Sequence, residues 1–199
     1  MNKERVVLIS LVLFLILLAY LLGSISAAIV TCRLMGIPDP RSEGSHNPGA
    51  SNVYKIGGKK AAVFTLIGDA LKGLIPVLIG RLLDLDQLSL SFIAFAAFLG
   101  HLYPIFFSFK GGKGVATAFG VFIVLNWQVA LLILLTWLII VKAFKLSALG
   151  ALISALLTPI YFYLLDGSLV FTGLSFIISI ILIYRHKSNI INIINGTED

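Results

Sequence analysis

Apolar stretches separated by shorter polar ones run the length of the chain, and each apolar stretch reads as a helix. The first extends from Met1 to about Leu34 and ends near Gly36-Ile37-Pro38, because proline lacks a backbone donor and disfavours helix at the residue before it. The polar stretch Pro38 to Gly58 follows. It is the longest in the chain and rich in Gly, Ser and Asn, the mark of a functional loop. The pattern then predicts a helix over Lys59–Arg81 with a kink at Pro76, and another over Gln87–Phe107 interrupted at Gly100 and Pro104. Lys113 to about Leu125 gives only about thirteen residues, roughly 20 Å at 1.5 Å per residue, too short to cross a bilayer alone. Helices over Asn126–Val141, Ala148–Leu165 and Leu169–Tyr184 bring the total to about seven, with Trp127 as an interfacial anchor. The segment Arg185-His186-Lys187-Ser188-Asn189 and a short tail close the chain. No internal repeat is visible, and residues 1–199 read as one domain.

Composition makes these helices membrane spans. Of 199 residues, 59% are hydrophobic and only 12% charged, with a mean hydropathy of +1.04, so no soluble surface can be assembled and the chain is an all-α polytopic membrane protein. The formal charge of +6 does not point to nucleic acid, because the basic residues sit in short connections where membrane topology accounts for them. Cys32 is the sole cysteine, which excludes an intramolecular disulfide and a cysteine metal cluster. Lys3, Arg5, the run Val6–Leu22 and the small residues Gly23–Ala27 imitate a signal peptide, but apolar character resumes through Val30 and favours a retained helix.

Seven helices place the termini on opposite sides, so the basic residues select an orientation. With the C-terminus inside, the inner connections hold Arg33, Arg41, Lys55, Lys59, Lys60, Lys110, Lys113, Lys142, Lys145, Arg185 and Lys187, and the outer ones only Lys3, Arg5 and Arg81. This predicts an N-terminus outside, a cytoplasmic C-terminus and a site on the cytoplasmic side.

Chemistry enters through two glycine-bearing loops on that face. In Lys110-Gly111-Gly112-Lys113-Gly114, three glycines leave backbone N–H groups unshielded, and the apolar run behind them starts a helix whose positive end faces the loop, an arrangement that holds phosphate. Gly114 rather than Ser or Thr follows Lys113, which argues against a nucleotide P-loop; a plain turn between spans is the alternative. The other loop, Gly44-Ser45-His46-Asn47-Pro48-Gly49-Ala50-Ser51-Asn52-Val53-Tyr54-Lys55, combines hydroxyls, amides and a cation suited to a phosphate or polyol phosphate, with a capped turn as its alternative. Ser147 shares the same face as a further substrate-binding candidate. His101 and His186 are acid–base candidates, the latter flanked by Arg185 and Asn189. Asp69 and Lys72 lie three residues apart on one helix face, and each would cost roughly 2.5–3.5 kcal/mol at a bilayer centre unless paired or hydrated. No metal-ligand spacing and no Gly-x-Ser-x-Gly elbow occurs.

Five motifs in order, Gly23-Ser24-Ile25, Gly44-Ser45-x-Asn47-x-Gly49-Ala50-Ser51-Asn52, Asp69-x-x-Lys72-Gly73, Gly100-His101-x-x-Pro104 running into Phe109–Thr117, and Tyr184-Arg185-His186-x-x-Asn189-Ile190, give the chain its family likeness. It resembles the bacterial membrane-integral acyl-phosphate:glycerol-3-phosphate acyltransferases, the PlsY family. The resemblance implies transfer of a fatty acyl group from acyl phosphate to the 1-hydroxyl of glycerol 3-phosphate, giving lysophosphatidate and phosphate, in the bacterial inner membrane and with no metal or other cofactor. It implies a bilayer environment and, as a candidate partner, a soluble enzyme producing acyl phosphate. It places Lys113, His186 and Asn189 on positions essential in the family, and Ser45, Asn47, Ser51, Asn52, Lys55, Gly111, Gly112, Lys113 and Gly114 along the phosphate-handling site. With the residue reading added, Lys113, His186, Asn189 and Ser45 are the catalytic candidates, Gly49 and Ser147 join the substrate-binding ones, and Ser24, Asp69, Lys72, His101 and Arg185 are supporting. The chain departs from the family pattern at His46, commonly Gly, at Pro48, at Ser51, commonly Thr, and at Lys55, usually Arg, where the bidentate fork toward phosphate is lost. A small membrane transporter of a phosphorylated solute is the competing reading; it predicts midplane polar residues, broken helices and often an inverted repeat. A purely structural membrane subunit leaves the two glycine-rich loops without a purpose.

Overall fold

The computed structural model describes residues 3–198, so the expected helix start at Met1 lies outside the described residues. Among these residues the chain forms α1 (Lys3–Gly23), α2 (Ala27–Leu34), α3 (Ala50–Leu82), α4 (Gln87–Leu102), a 3-10 turn (Ile105–Phe107), α5 (Val115–Leu125), α6 (Trp127–Phe144), α7 (Ser147–Leu165), α8 (Leu169–Arg185) and α9 (Lys187–Ile194). They fall into two compact units, Met1–Val124 and Leu125–Asp199.

Polar groups that hydropathy does not register break the first apolar run in two. Ser24 Oγ donates to the Tyr20 carbonyl at 2.8 Å, and Ser26 caps α2 by accepting from the Ile29 amide, so the single helix expected to Leu34 becomes α1 and α2. The expected loop to Gly58 is shorter than predicted, because α3 begins at Ala50 behind Gly49. Helix wins over the Gly/Ser/Asn composition here because Val53 and the half-buried Ile56 pack with Ala28, Cys32, Ala61 and Ile37. Gly58, at φ +77°, is the residue of α3 with non-helical dihedrals, whereas Pro76, the expected kink, keeps them.

Small residues let helices of the first unit approach closely. A Cβ on Gly23 would strike the Ala97 backbone, and one on Gly100 the Tyr20 carbonyl, so α1 lies against α4; Gly100 therefore sits inside α4 rather than interrupting it. Gly73 meets Thr117 and Gly120 meets Ala70 in the same way, joining α3 to α5. Asp86 caps α4, its carboxylate accepting from the Leu88 and Ser89 amides at 2.9 and 3.1 Å. In the second unit α7 packs against both α6 and α8. Asn126 caps α6 and donates to Asp166 at 2.9 Å.

Among the described residues five helices are long and apolar enough to cross a membrane, α1, α3, α4 extended through Phe107, α6 and α7; a sixth candidate is α8 with α9, bent by 59° at His186. α5, of 11 residues, starts at Val115 rather than Lys113 and is too short. Large apolar side chains left outside the core, such as Leu13, Phe14, Leu135, Ile139, Leu156 and Ile180, are the surface expected of helices bathed in lipid.

Candidate functional site

Asn52 organises the first glycine-bearing loop. Its Nδ2 donates to the carbonyls of Pro40 at 2.8 Å and Glu43 at 3.0 Å, and its Oδ1 accepts from the Ser45 amide at 2.8 Å. The side chain is buried at 1% exposure, so an amide expected to touch substrate instead holds the loop that presents Ser45. Ser45, Ser51 and Lys55 are exposed, and Asn47 and Gly49 half-buried. Ser51 and Lys55 are four residues apart in the first turns of α3 and share a face.

A second tether comes from Arg41. Its guanidinium forks onto Asp39, with Nε 3.0 and 3.2 Å from the two carboxylate oxygens and Nη2 at 2.7 Å. It also lies 6.0 Å from the Phe107 ring centroid and reaches the Phe107 carbonyl at 3.5 Å. The guanidinium beside Asp39 holds that carboxyl below the usual aspartate range. Arg41 thus joins the first loop to the 3-10 turn that leads into the second.

The second loop is fixed by packing. The Gly112 amide donates to the His101 carbonyl at 3.3 Å. A Cβ on Gly111 would meet the Leu102 carbonyl carbon at 2.7 Å, and one on Gly112 would collide with the His101 imidazole and stand 3.1 Å from the Pro48 carbonyl. The two loops expected to share a face therefore touch at Gly112 and Pro48. Gly114, at φ +91°, turns the chain into α5, and Lys113 is half-buried beside it.

Beneath this loop sits a buried polar cluster. Lys72 Nζ is 2.9 Å from Asp69 Oδ1 and donates to the Ile25 carbonyl at 2.8 Å. His101 Nδ1 lies 3.5 Å from the same carboxylate oxygen, and Thr117 Oγ1 donates to the Asp69 carbonyl at 2.9 Å. The two buried charges in the middle of α3, Asp69 and Lys72, are paired, as their cost in a membrane requires. Ser24, fully buried, serves the helix break next to Ile25.

Ser147, Arg185, His186 and Asn189 belong to the second unit. His186 stands at the junction of α8 and α9, 3% exposed, with Nδ1 2.8 Å from the Leu182 carbonyl. A carbonyl only accepts, so Nδ1 carries the hydrogen, and in the neutral ring Nε2 is the basic nitrogen. Asn189 Nδ2 donates to Glu198 Oε1 at 2.5 Å, which ties the tail back to α9. Ser147 is half-buried in the first turn of α7, and Arg185 is half-buried at the end of α8.

A family model described as glycerol-3-phosphate acyltransferase matches residues 13–196. The chain belongs to the glycerol-3-phosphate acyltransferase family. Similar members of the family include the glycerol-3-phosphate acyltransferase of Ruthia magnifica subsp. Calyptogena magnifica, 51% identical over 93% of this chain and 94% of its own. That of Methylococcus capsulatus is 52% identical over 90% and 91%. The crystal structure of PlsY, an integral membrane glycerol 3-phosphate acyltransferase, in its glycerol 3-phosphate form superposes with a TM-score of 0.90 at 39% identity, over 94% of both chains. Its lysophosphatidic acid form gives 0.88 at 38%. The chain is thus a multi-pass membrane enzyme of the acyltransferase class.

Within this acyltransferase, Asp39, Arg41 and Glu198 are polar residues outside the motifs, and Thr117, inside one, has its role shown only by its bond to the Asp69 carbonyl. Arg41 entered only as a topological charge and Asp39 not at all, although a carboxylate two residues before an arginine in a tight Asp-Pro-Arg turn is within reach of its fork.

Proposed function

We infer that this protein transfers a fatty acyl group from acyl phosphate to the 1-hydroxyl of glycerol 3-phosphate, giving lysophosphatidate and phosphate, the first acylation of phospholipid synthesis. The observation that carries the reading is the contact of the two glycine-bearing loops at Gly112 and Pro48, which puts exposed Ser45 and Lys55 and the amides around Lys113 in one compact unit of a family member.

Acyl phosphate is a mixed anhydride already activated for attack, so positioning and charge stabilisation suffice and no enzyme nucleophile is required. The oxygen of the 1-hydroxyl bonds to the acyl carbon, the bond from that carbon to the phosphate oxygen breaks, and phosphate leaves with its electron pair. Lys113 and the amides of Gly111 and Gly114 stabilise the leaving charge, with Gly112 held between them by its bond to the His101 carbonyl. Ser45, Asn47, Ser51 and Lys55, on the loop and helix end anchored by Gly49 and Asn52, hold glycerol 3-phosphate. The hydroxyl proton passes to His186 Nε2 or to a phosphate oxygen of the donor. Asn189, Ser147 and Arg185 are the further polar residues we assign to the reaction, and Ser24, Asp69, Lys72 and His101 are supporting residues of the first unit. We assign about seven spans, an N-terminus outside and a cytoplasmic C-terminus and site from the distribution of basic residues, in one 1–199 domain of the bacterial inner membrane that an acyl-phosphate-producing enzyme serves.

The test supplies labelled glycerol 3-phosphate to purified protein in lipid with palmitoyl phosphate or palmitoyl-CoA, each with EDTA. Lysophosphatidate forms from the acyl phosphate alone, with EDTA present. Product from the CoA ester overturns the donor, and uptake into vesicles without lipid product overturns the enzyme in favour of a transporter. Loss of turnover in Lys113→Ala together with full turnover in His186→Ala at saturating substrates assigns the proton to the donor phosphate.

A further inference from the structure

The buried cluster under the glycine loop has more parts than charge neutralisation needs. A buried ion pair alone gives little net stability, since an apolar pair of similar volume commonly does as well. Here Asp69 engages two further groups: His101 from α4, with Nδ1 3.5 Å from the oxygen that also binds Lys72, and Thr117 from α5, which donates to the Asp69 carbonyl at 2.9 Å. Lys72 is in turn fixed by the Ile25 carbonyl at the α1–α2 break, 2.8 Å away. Asp69, Lys72 and His101 are 3%, 8% and 6% exposed, so each is enclosed by protein.

The far side of His101 is the glycine loop itself. The Gly112 amide donates to the His101 carbonyl, and the imidazole Nε2 and Cε1 occupy the space where a Gly112 side chain would stand, with the Pro48 carbonyl on the remaining side. The ring is therefore clamped between a carboxylate and the loop: Asp69 faces Nδ1, and Gly112 faces Nε2.

We propose that Asp69 and Lys72 orient His101 and that His101 sets the position of Gly112, making the three of them positioning residues for the phosphate-binding amides of the Gly111–Gly114 loop. The proposal rests on the reading that this loop binds a substrate phosphate. Rotation of an unrestrained imidazole shifts Gly112 and with it the amides on either side, and a misplacement of under 1 Å is enough to weaken a charge-assisted hydrogen bond.

Steady-state kinetics with both substrates varied test it on Gly112→Ala, His101→Ala, His101→Gln and the double variant Asp69→Asn/Lys72→Met. Gly112→Ala identifies which substrate the loop serves by raising its KM. His101→Ala and the double variant raise the KM of that same substrate about fivefold or more and leave the other within twofold, with the larger share of the loss in KM rather than kcat. A purely structural role would instead lower the active fraction, reducing kcat and leaving both KM values in place. His101→Gln, which keeps the polar tip at the Nε2 side, recovers part of the His101→Ala loss and carries the test if the double variant does not survive purification. The proposal is overturned if Gly112→Ala raises a KM that the His101 and Asp69/Lys72 variants leave alone. If Gly112→Ala changes neither KM, the phosphate-loop reading fails and takes the proposal with it.

Discussion

The two loops of the first unit achieve order by opposite means. Residues 38–49 are tied by side chains: Asn52 accounts for three hydrogen bonds to the Pro40, Glu43 and Ser45 backbone, and Arg41 bridges Asp39 to Phe107. Residues 110–114 are held by backbone packed so closely on His101, Leu102 and Phe98 that no Cβ fits at Gly111, Gly112 or Gly114. A tethered loop loosens in steps as its bonds are removed, whereas a packed loop tolerates a substitution or is displaced by it.

Gly111→Ala gives the sharpest break, because its Cβ meets the fixed Leu102 carbonyl rather than a side chain that can swing away. Loss of kcat/KM of about 10²-fold or more is expected, the scale of removing an oxyanion donor. Asn52→Ala, by contrast, removes tethers worth about 2 kcal/mol in sum, or about thirtyfold in kcat/KM; equal losses for the two variants would erase the distinction. Arg41→Lys keeps the charge but loses the fork, and a rise in glycerol 3-phosphate KM of about threefold is expected. The Arg41 latch also has a pH limit. Because Asp39 has its folded pKa depressed, the latch is fully present above the ordinary aspartate value of about 3.9 and lost as pH falls through the lower folded value. Limited proteolysis within 38–49 should be constant from pH 8 to about 5 and accelerate only below about 4. Asp86→Ala, outside both loops, removes a helix cap and should lower stability in detergent by about 1 kcal/mol while leaving both KM values unchanged.

Hydropathy made the apolar helices legible and was blind to their punctuation. α6, α7 and α8 emerged within a few residues because long apolar runs bounded by Asn126, Lys145 and Asp166 admit little else. The break at Ser24–Ser26 was hidden because Ile25, Ala27 and Ala28 keep the run apolar while two hydroxyls terminate it. The helical Ala50–Gly57 segment was hidden for the converse reason: its glycine, serine and asparagine read as loop until Val53 and Ile56 find Ala28 and Cys32. α9 is short and half polar, so nothing in its composition distinguished it from a tail. In the site, residue type revealed which groups matter and not what they touch. An amide at position 52 suits a ligand or a scaffold equally, and only the three backbone partners of Asn52 decide between them.

The bond from Lys72 to the Ile25 carbonyl also orders events during synthesis. Synthesis completes α1 and α2 before position 72 exists, so the Ile25 acceptor waits for its lysine. Arrival of α3 satisfies that acceptor and at once gives its own ammonium a lipid-shielded home. A chain truncated between the two leaves the Ile25 carbonyl without the ammonium that joins the first helix break to α3 in the finished fold.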